Sequence, residues 1–198
     1  MATTATGSTE TGSDVLVVID MQHDFIAGSL GTPEARAILD GAVEKVRSWN
    51  GPIFYTLDTH NADYAETQEG RRLPVPHCIK GTDGWRVPAA LQAALDEQGA
   101  VAYEKPAFGS PRLAQDLAAR HAANPIARIE LIGICTDICV VSNALLIKAF
   151  LPEVPVAVDA RLCAGVTPAA HEAALATMAS CQVEILGRQP DENGTGPR

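Results

Sequence analysis

Apolar positions along this chain alternate between two periods. Residues 14–20 (DVLVVID) form an unbroken apolar run closed by acids, the pattern of a strand buried on both faces. Thr32 and Pro33 then offer a cap and a first-turn proline for a helix to about Trp49. Ile38, Leu39, Ala42, Val43 and Val46 fall on one face of it, and Asn50, Gly51 and Pro52 end it. Five more short apolar runs predict strands at 53–57, 100–103, 128–132, 155–158 and 183–186. Between them lie helical patterns at 88–98, 110–122 (capped by Ser110 and Pro111) and 137–150, and a last one opened by Thr167 and Pro168.

Six strands separated by helices predict an α/β three-layer sandwich. Its six-stranded, mostly parallel β-sheet is flanked by helices on both faces, with right-handed crossovers. In such sheets ligands bind beyond the carboxyl ends of the strands. Asp20, Asp58, Lys105 and Cys139 fall at or just after the ends of the first four strands. Residues 59–87 show no clear periodicity, and loops that long inside a compact domain are usually functional.

A chain of 198 residues with 46% apolar and 20% charged residues can bury a single core. The expected domain covers residues 14–188. Residues 1–13 read as a disordered leader, having neither the basic nor the apolar region of a secretion signal. Residues 189–198 read as a flexible tail. No apolar run approaches the roughly 20 residues of a membrane span. A net charge of −9 argues against nucleic-acid and anionic-membrane surfaces. Five scattered cysteines, an odd number, point to free thiols and a cytoplasmic location.

Each candidate for chemistry has a plainer reading beside it. Asp20 closes an apolar strand, where an unpaired carboxylate is expensive; it reads equally as a loop or capping aspartate. Lys105, beside Pro106 and near Tyr103 and Phe108, is either a fixed, partly desolvated lysine or a solvated one. Cys139 opens a helix after a glycine turn, where unpaired N–H groups and the positive dipole end lower a thiol pKa; it also reads as a core cysteine. Cys135 lies four residues before it, with one intervening residue too many for the common redox motif. Asp58 and His60 project to the same side of an extended chain. With Glu69 and His77 downstream they suit a divalent first-row metal, or simply a polar loop. Phe25, Trp85 and Phe108 wall a pocket for a flat ring or pack in the core. Cys78, Cys163 and Cys181 read as packing residues, and His23, His121 and His171 as surface or supporting ones.

Four stretches together resemble the isochorismatase-like cysteine hydrolases, most closely their nicotinamidase branch. They are residues 17–25 (VVIDMQHDF), 58–60 (DTH), the run from 67–70 (TQEG) through 73–82 (LPVPHCIKGT), and 133–139 (GICTDIC). The resemblance implies a catalytic triad of Asp20, Lys105 and Cys139, with Cys139 the nucleophile, Asp20 the base and then acid, and Lys105 holding the thiolate. It also implies a cis peptide between Ile134 and Cys135, and an oxyanion hole of the Cys135 and Cys139 backbone N–H groups. Phe25, Trp85 and Phe108 then become substrate-binding residues.

The resemblance further implies one divalent metal, zinc before manganese or iron, on Asp58, His60 and His77. Some nicotinamidases carry a second histidine a few residues after the Asp-x-His; here Asp63 and Tyr64 occupy that region, and Glu69 fits a variant that uses glutamate. The activity so implied is hydrolysis of nicotinamide to nicotinate and ammonia through a thioester, a step of NAD salvage, in a homo-oligomer acting on a small amide. Two alternatives remain at this point. One is a metal-independent hydrolase of the same superfamily, acting on a carbamoyl, ureido or vinyl-ether substrate. The other is an inactive binding or scaffold protein of the same fold.

Overall fold

A computed structural model describes residues 12–188. The expected leader and tail lie outside the described residues, except Gly12 and Ser13. Ser13 belongs to the first strand, β1 (Ser13–Ile19), where it pairs with Ile126.

Every side chain of β1 from Val15 to Ile19 is buried. Val15, Val17 and Ile19 pack on one side with Leu113, Leu117, Ala144, Ile147, Leu175 and Met178. These come from α6 (Pro111–Ala123), α7 (Val141–Phe150) and α8 (Pro168–Ser180). Leu16 and Val18 pack on the other side with Ala42, Val43 and Val46 of α3 (Leu39–Ser48) and Leu91, Ala94 and Leu95 of α5 (Ala89–Glu97). Both faces are dry, so the run carries no alternation. Each such side chain contributes about 1.5–3 kcal/mol of burial free energy.

The other strands are β2 (Ile53–Asp58), β3 (Val101–Lys105), β4 (Ile126–Ile134), β5 (Val156–Ala164) and β6 (Glu184–Leu186). They form one six-stranded sheet in the order β3-β2-β1-β4-β5-β6, every pairing parallel. Connections run outward to one side from β1 and to the other from β4. The crevice at this reversal opens at the carboxyl ends of β1 and β4. Gly133 makes the close approach there: its φ is +127°, and a Cβ would lie 2.1 Å from the Ile19 carbonyl oxygen.

Several elements depart from expectation. The helix predicted over 32–49 is broken at Ile38 into α2 (Pro33–Ala37) and α3. The strands predicted at 128–132 and 155–158 run on to Ile134 and Ala164, because tertiary pairing extends past the apolar runs. Residues 59–87 contain a 3-10 turn (Tyr64–Glu66) and α4 (Gln68–Arg72), and α1 (His23–Ile26) follows β1 directly. The helix expected from 137 begins as a π-helical turn (Thr136–Val140), a form that recurs at functional sites. Among the described residues no helix is long and apolar enough to cross a membrane.

Candidate active site

Three strand ends bring Asp20, Lys105 and Cys139 together. Asp20 leaves β1 with φ +44°, a conformation that aspartate tolerates better than most residues. Thr56 of β2 locks it there: the Asp20 N–H donates to Thr56 Oγ1 at 3.2 Å, and that hydroxyl donates to Asp20 Oδ1 at 2.6 Å. Lys105, the last residue of β3, places Nζ 2.6 Å from Asp20 Oδ2 and 3.5 Å from Cys139 Sγ. All three side chains are buried. The peptide joining Ile134 and Cys135 is cis, as the resemblance implied.

Burial governs the protonation of this group. It raises the Asp20 pKa, with Asp58 adding to the effect and Lys105 opposing it. Burial alone would lower Lys105, but Asp20, Cys139 and Asp58 outweigh it and hold the ammonium charged. Cys139 is pushed well above the ordinary thiol value by burial and by Asp20, against the pull of Lys105. This reverses the expectation from the helix terminus and the lysine. Desolvating a thiolate outweighs both, so burial favours the thiol form of Cys139. Cys135 is likewise pushed up to about 12, chiefly by burial, which removes the low-pKa redox-pair reading.

Asp58 connects this group to a second one. Its Oδ1 lies 3.4 Å from Lys105 Nζ, while Oδ2 lies 3.1 Å from His60 Nε2 and 3.5 Å from His77 Nε2. Glu69 Oε1 lies 3.8 Å from the first imidazole and 3.7 Å from the second. Asp58, His60 and His77 form a candidate metal site. Four donors about 2.0–2.1 Å from a tetrahedral ion are roughly 3.4 Å apart, which the Asp58–imidazole separations match, while Glu69 lies farther out. The chemistry fits as well. Asp58 is held well below the carboxylate range, because its bonds to His60 and His77 and the Lys105 charge overcome burial. His77 Nδ1 contacts the Val75 carbonyl at 2.9 Å, which leaves Nε2 as the lone-pair donor.

Both groups open into one cavity of about 720 Å³, lined at depth by Asp58, His60, His77, Cys135 and Cys139. Residues 14–189 match the isochorismatase domain family. The chain belongs to the isochorismatase family. An uncharacterized isochorismatase family protein, PncA, of Bacillus subtilis (strain 168) is 30% identical over 140 residues, 66% of this chain and 75% of that protein. The crystal structure of nicotinamidase/pyrazinamidase PncA from Bacillus subtilis superposes with a TM-score of 0.74 at 26% identity, covering 87% of this chain and 98% of that one. The pyrazinamidase of Pyrococcus horikoshii in complex with zinc superposes with a TM-score of 0.69 at 26% identity, covering 88% and 98%.

In this isochorismatase-family chain the three aromatic candidates separate. Phe25 and Phe108 line the cavity, and the Phe25 ring centroid lies 5.5 Å from that of His77. Trp85 is not among the lining residues. Its indole N–H donates to Thr59 Oγ1 at 2.9 Å, and its side chain borders a different depression beside His23 and Tyr55. A tryptophan in an aperiodic loop carries no record of which side of that loop it faces.

Several supporting residues went unassigned in the sequence. Gln22, fully buried, donates to the Asp58 carbonyl at 2.8 Å and accepts from the Asp58 N–H at 2.7 Å. Asp24 Oδ2 accepts from the Cys78 N–H at 2.8 Å and so anchors the loop beside His77. Asn143 donates to the carbonyls of Cys139 and Phe108 and accepts from the Ser110 N–H. It ties the cysteine turn to the loop after Lys105. A signal for Asn143 existed: helical spacing puts it with Val140, Ala144 and Ile147 on the buried face, where an amide needs partners.

Proposed function

We propose that this chain is a metal-containing cysteine amidohydrolase that converts nicotinamide, or a close pyridine carboxamide, to its acid and ammonia. One observation supports this reading: Asp58 faces Lys105 of the Asp20–Lys105–Cys139 group with one oxygen and the His60 and His77 imidazoles with the other. Cys139 and the Asp58–His60–His77 group thus share one cavity, as the reading requires. Asp58, His60, Glu69 and His77 would hold a divalent ion, zinc foremost and manganese or iron in second place. When bound, that ion supplies a Lewis-acid contact that fixes a ring nitrogen.

The protein's own groups then perform acyl transfer. Asp20 takes the thiol proton as Cys139 Sγ attacks the amide carbon, and its burial-raised pKa suits a group that must hold that proton. Lys105 stays charged and stabilises the forming thiolate. The backbone N–H groups of Cys135 and Cys139 receive the oxyanion; one such donor is worth about 10²–10³ in kcat. Asp20 returns its proton to the departing nitrogen, releasing ammonia and leaving a thioester. A water that loses its proton to Asp20 then hydrolyses the thioester, freeing the acid and restoring the thiol.

Ammonia release is to be measured from nicotinamide beside a panel of ureido and carbamoyl compounds, with and without chelator. Turnover of nicotinamide that disappears with chelator and in Cys139→Ala and Glu69→Ala proteins supports the reading. Full turnover in Cys139→Ala protein sinks the mechanism. Hydrolysis of the ureido or carbamoyl compounds alone, by protein without metal, supports the metal-independent alternative instead.

A further inference from the structure

Five large apolar side chains stand exposed among the described residues, and three of them line this one cavity. They are Leu73, Phe108 and Val166, at 38%, 45% and 51% exposure. Single exposed apolar residues are normal on protein surfaces. Convergence on one opening is different, because it collects apolar area that water disfavours. The three come from separate segments: Leu73 ends α4, Phe108 lies between β3 and α6, and Val166 lies between β5 and α8. Leu30 and Ile138, both partly buried, continue the apolar wall inward. The buried polar groups of the lining are Asp58, His60, His77 and Cys139, while Gln68 and Arg72 of α4 add exposed polar groups beside Leu73.

The volume points the same way. A cavity of about 720 Å³ falls within the range of roughly 300–1,000 Å³ that encloses drug-sized ligands. A pyridine carboxamide is one ring and one amide; seated on the polar groups, it leaves the apolar rim bare. We infer that the substrate is an aromatic amide carrying an apolar substituent, which lies against Leu73, Phe108 and Val166 while the amide meets Cys139. The inference rests on the amidase reading of the cavity's buried end. The rim is continuous with the cavity that the substrate enters, so a second copy seated there would close that entrance.

The test uses purified holoenzyme with pyridine-3-carboxamide and analogues bearing one propyl group at each free ring carbon in turn. Burying one methylene is worth about fourfold, so a partly exposed rim raises kcat/KM for the best analogue by about tenfold over the parent. The Leu73→Ser/Val166→Ser double variant loses that gain and keeps the parent rate within about twofold. The inference is overturned if every propyl analogue is slower than the parent, or if the double variant slows parent and analogues alike. It also falls if sedimentation shows the double variant dissociating an oligomer, which assigns the patch to a second copy. Should no compound in the series release ammonia, the amidase reading itself fails. Calorimetric titration of the Cys139→Ala protein with the same compounds then reads the rim directly: tighter binding of a propyl analogue than of the parent supports it, and equal or weaker binding overturns it.

Discussion

The side-chain amide of Asn143 donates to the carbonyl oxygen of Cys139 at 2.8 Å, one turn back along the same helical segment. Its second donor contact, to the Phe108 carbonyl at 3.0 Å, and its acceptor contact, from the Ser110 N–H at 2.9 Å, reach across to the loop after Lys105. One buried amide therefore sets the spacing between the segments bearing Cys139 and Lys105. Asn143→Leu strands these backbone groups and lowers stability by about 2–3 kcal/mol. It also lowers kcat by more than the folded fraction explains. Urea unfolding beside steady-state kinetics checks both, and an unchanged kcat in folded variant protein would show that the amide is structural only.

Lys105 is the cation between two buried carboxylates, 2.6 Å from Asp20 and 3.4 Å from Asp58. Lys105→Met leaves them facing each other uncompensated and costs about 3–5 kcal/mol at neutral pH. The sign of the pH dependence follows from Asp20. Its folded pKa already lies above the unfolded value, and losing the ammonium raises it further. Protonation therefore favours the folded variant, so the gap in Tm from the parent protein narrows as pH falls toward the unfolded carboxylate value near 4. Melting curves across that range that show a constant gap would contradict this assignment.

Cys139 is held as a thiol by burial and Asp20, so its alkylation should be slow near neutral pH. Labelling accelerates only above the ordinary thiol range, and Asp20→Asn, which removes the opposing carboxylate, brings that rise to lower pH. Mass spectrometry of iodoacetamide-treated protein resolves Cys139 from Cys181, the exposed cysteine. Rapid labelling of Cys139 below pH 7 would mean that the lysine and the helix terminus prevail after all.

Gln22 clamps both the N–H and the carbonyl of Asp58. With a metal on Asp58, His60, Glu69 and His77, Gln22→Ala loosens the carboxylate without removing a donor. Loss of such support typically costs about 10–100-fold in metal affinity. Competition with a chromogenic chelator measures it, and unchanged retention would show that the other three donors fix the geometry alone.

Much of this arrangement is legible in the sequence. The dry run from Val15 to Ile19, the proline-opened helices and the strand ends at Asp20, Asp58 and Lys105 follow from periodicity and local backbone preference. Both act over a few residues and leave their mark in the order of the chain. The pairing of Asp58 with His60 was legible for the same reason, because alternate residues of an extended chain share a side.

Long-range placement was not. Nothing local separates Trp85, turned toward Thr59, from Phe25 and Phe108, which line the cavity. Gln22 and Asp24 find their partners 36 and 54 residues away. At Cys139 the helix terminus is visible in sequence, whereas the depth of burial that opposes its effect on the thiol is not. The strand ends that carry Asp20, Asp58 and Lys105, and the turn that carries Cys139, were therefore determined by the sequence itself. The folded chain decided the burial of Cys139, the clamp on Asp58 and the apolar rim, since each depends on which distant segments exclude water from the same point.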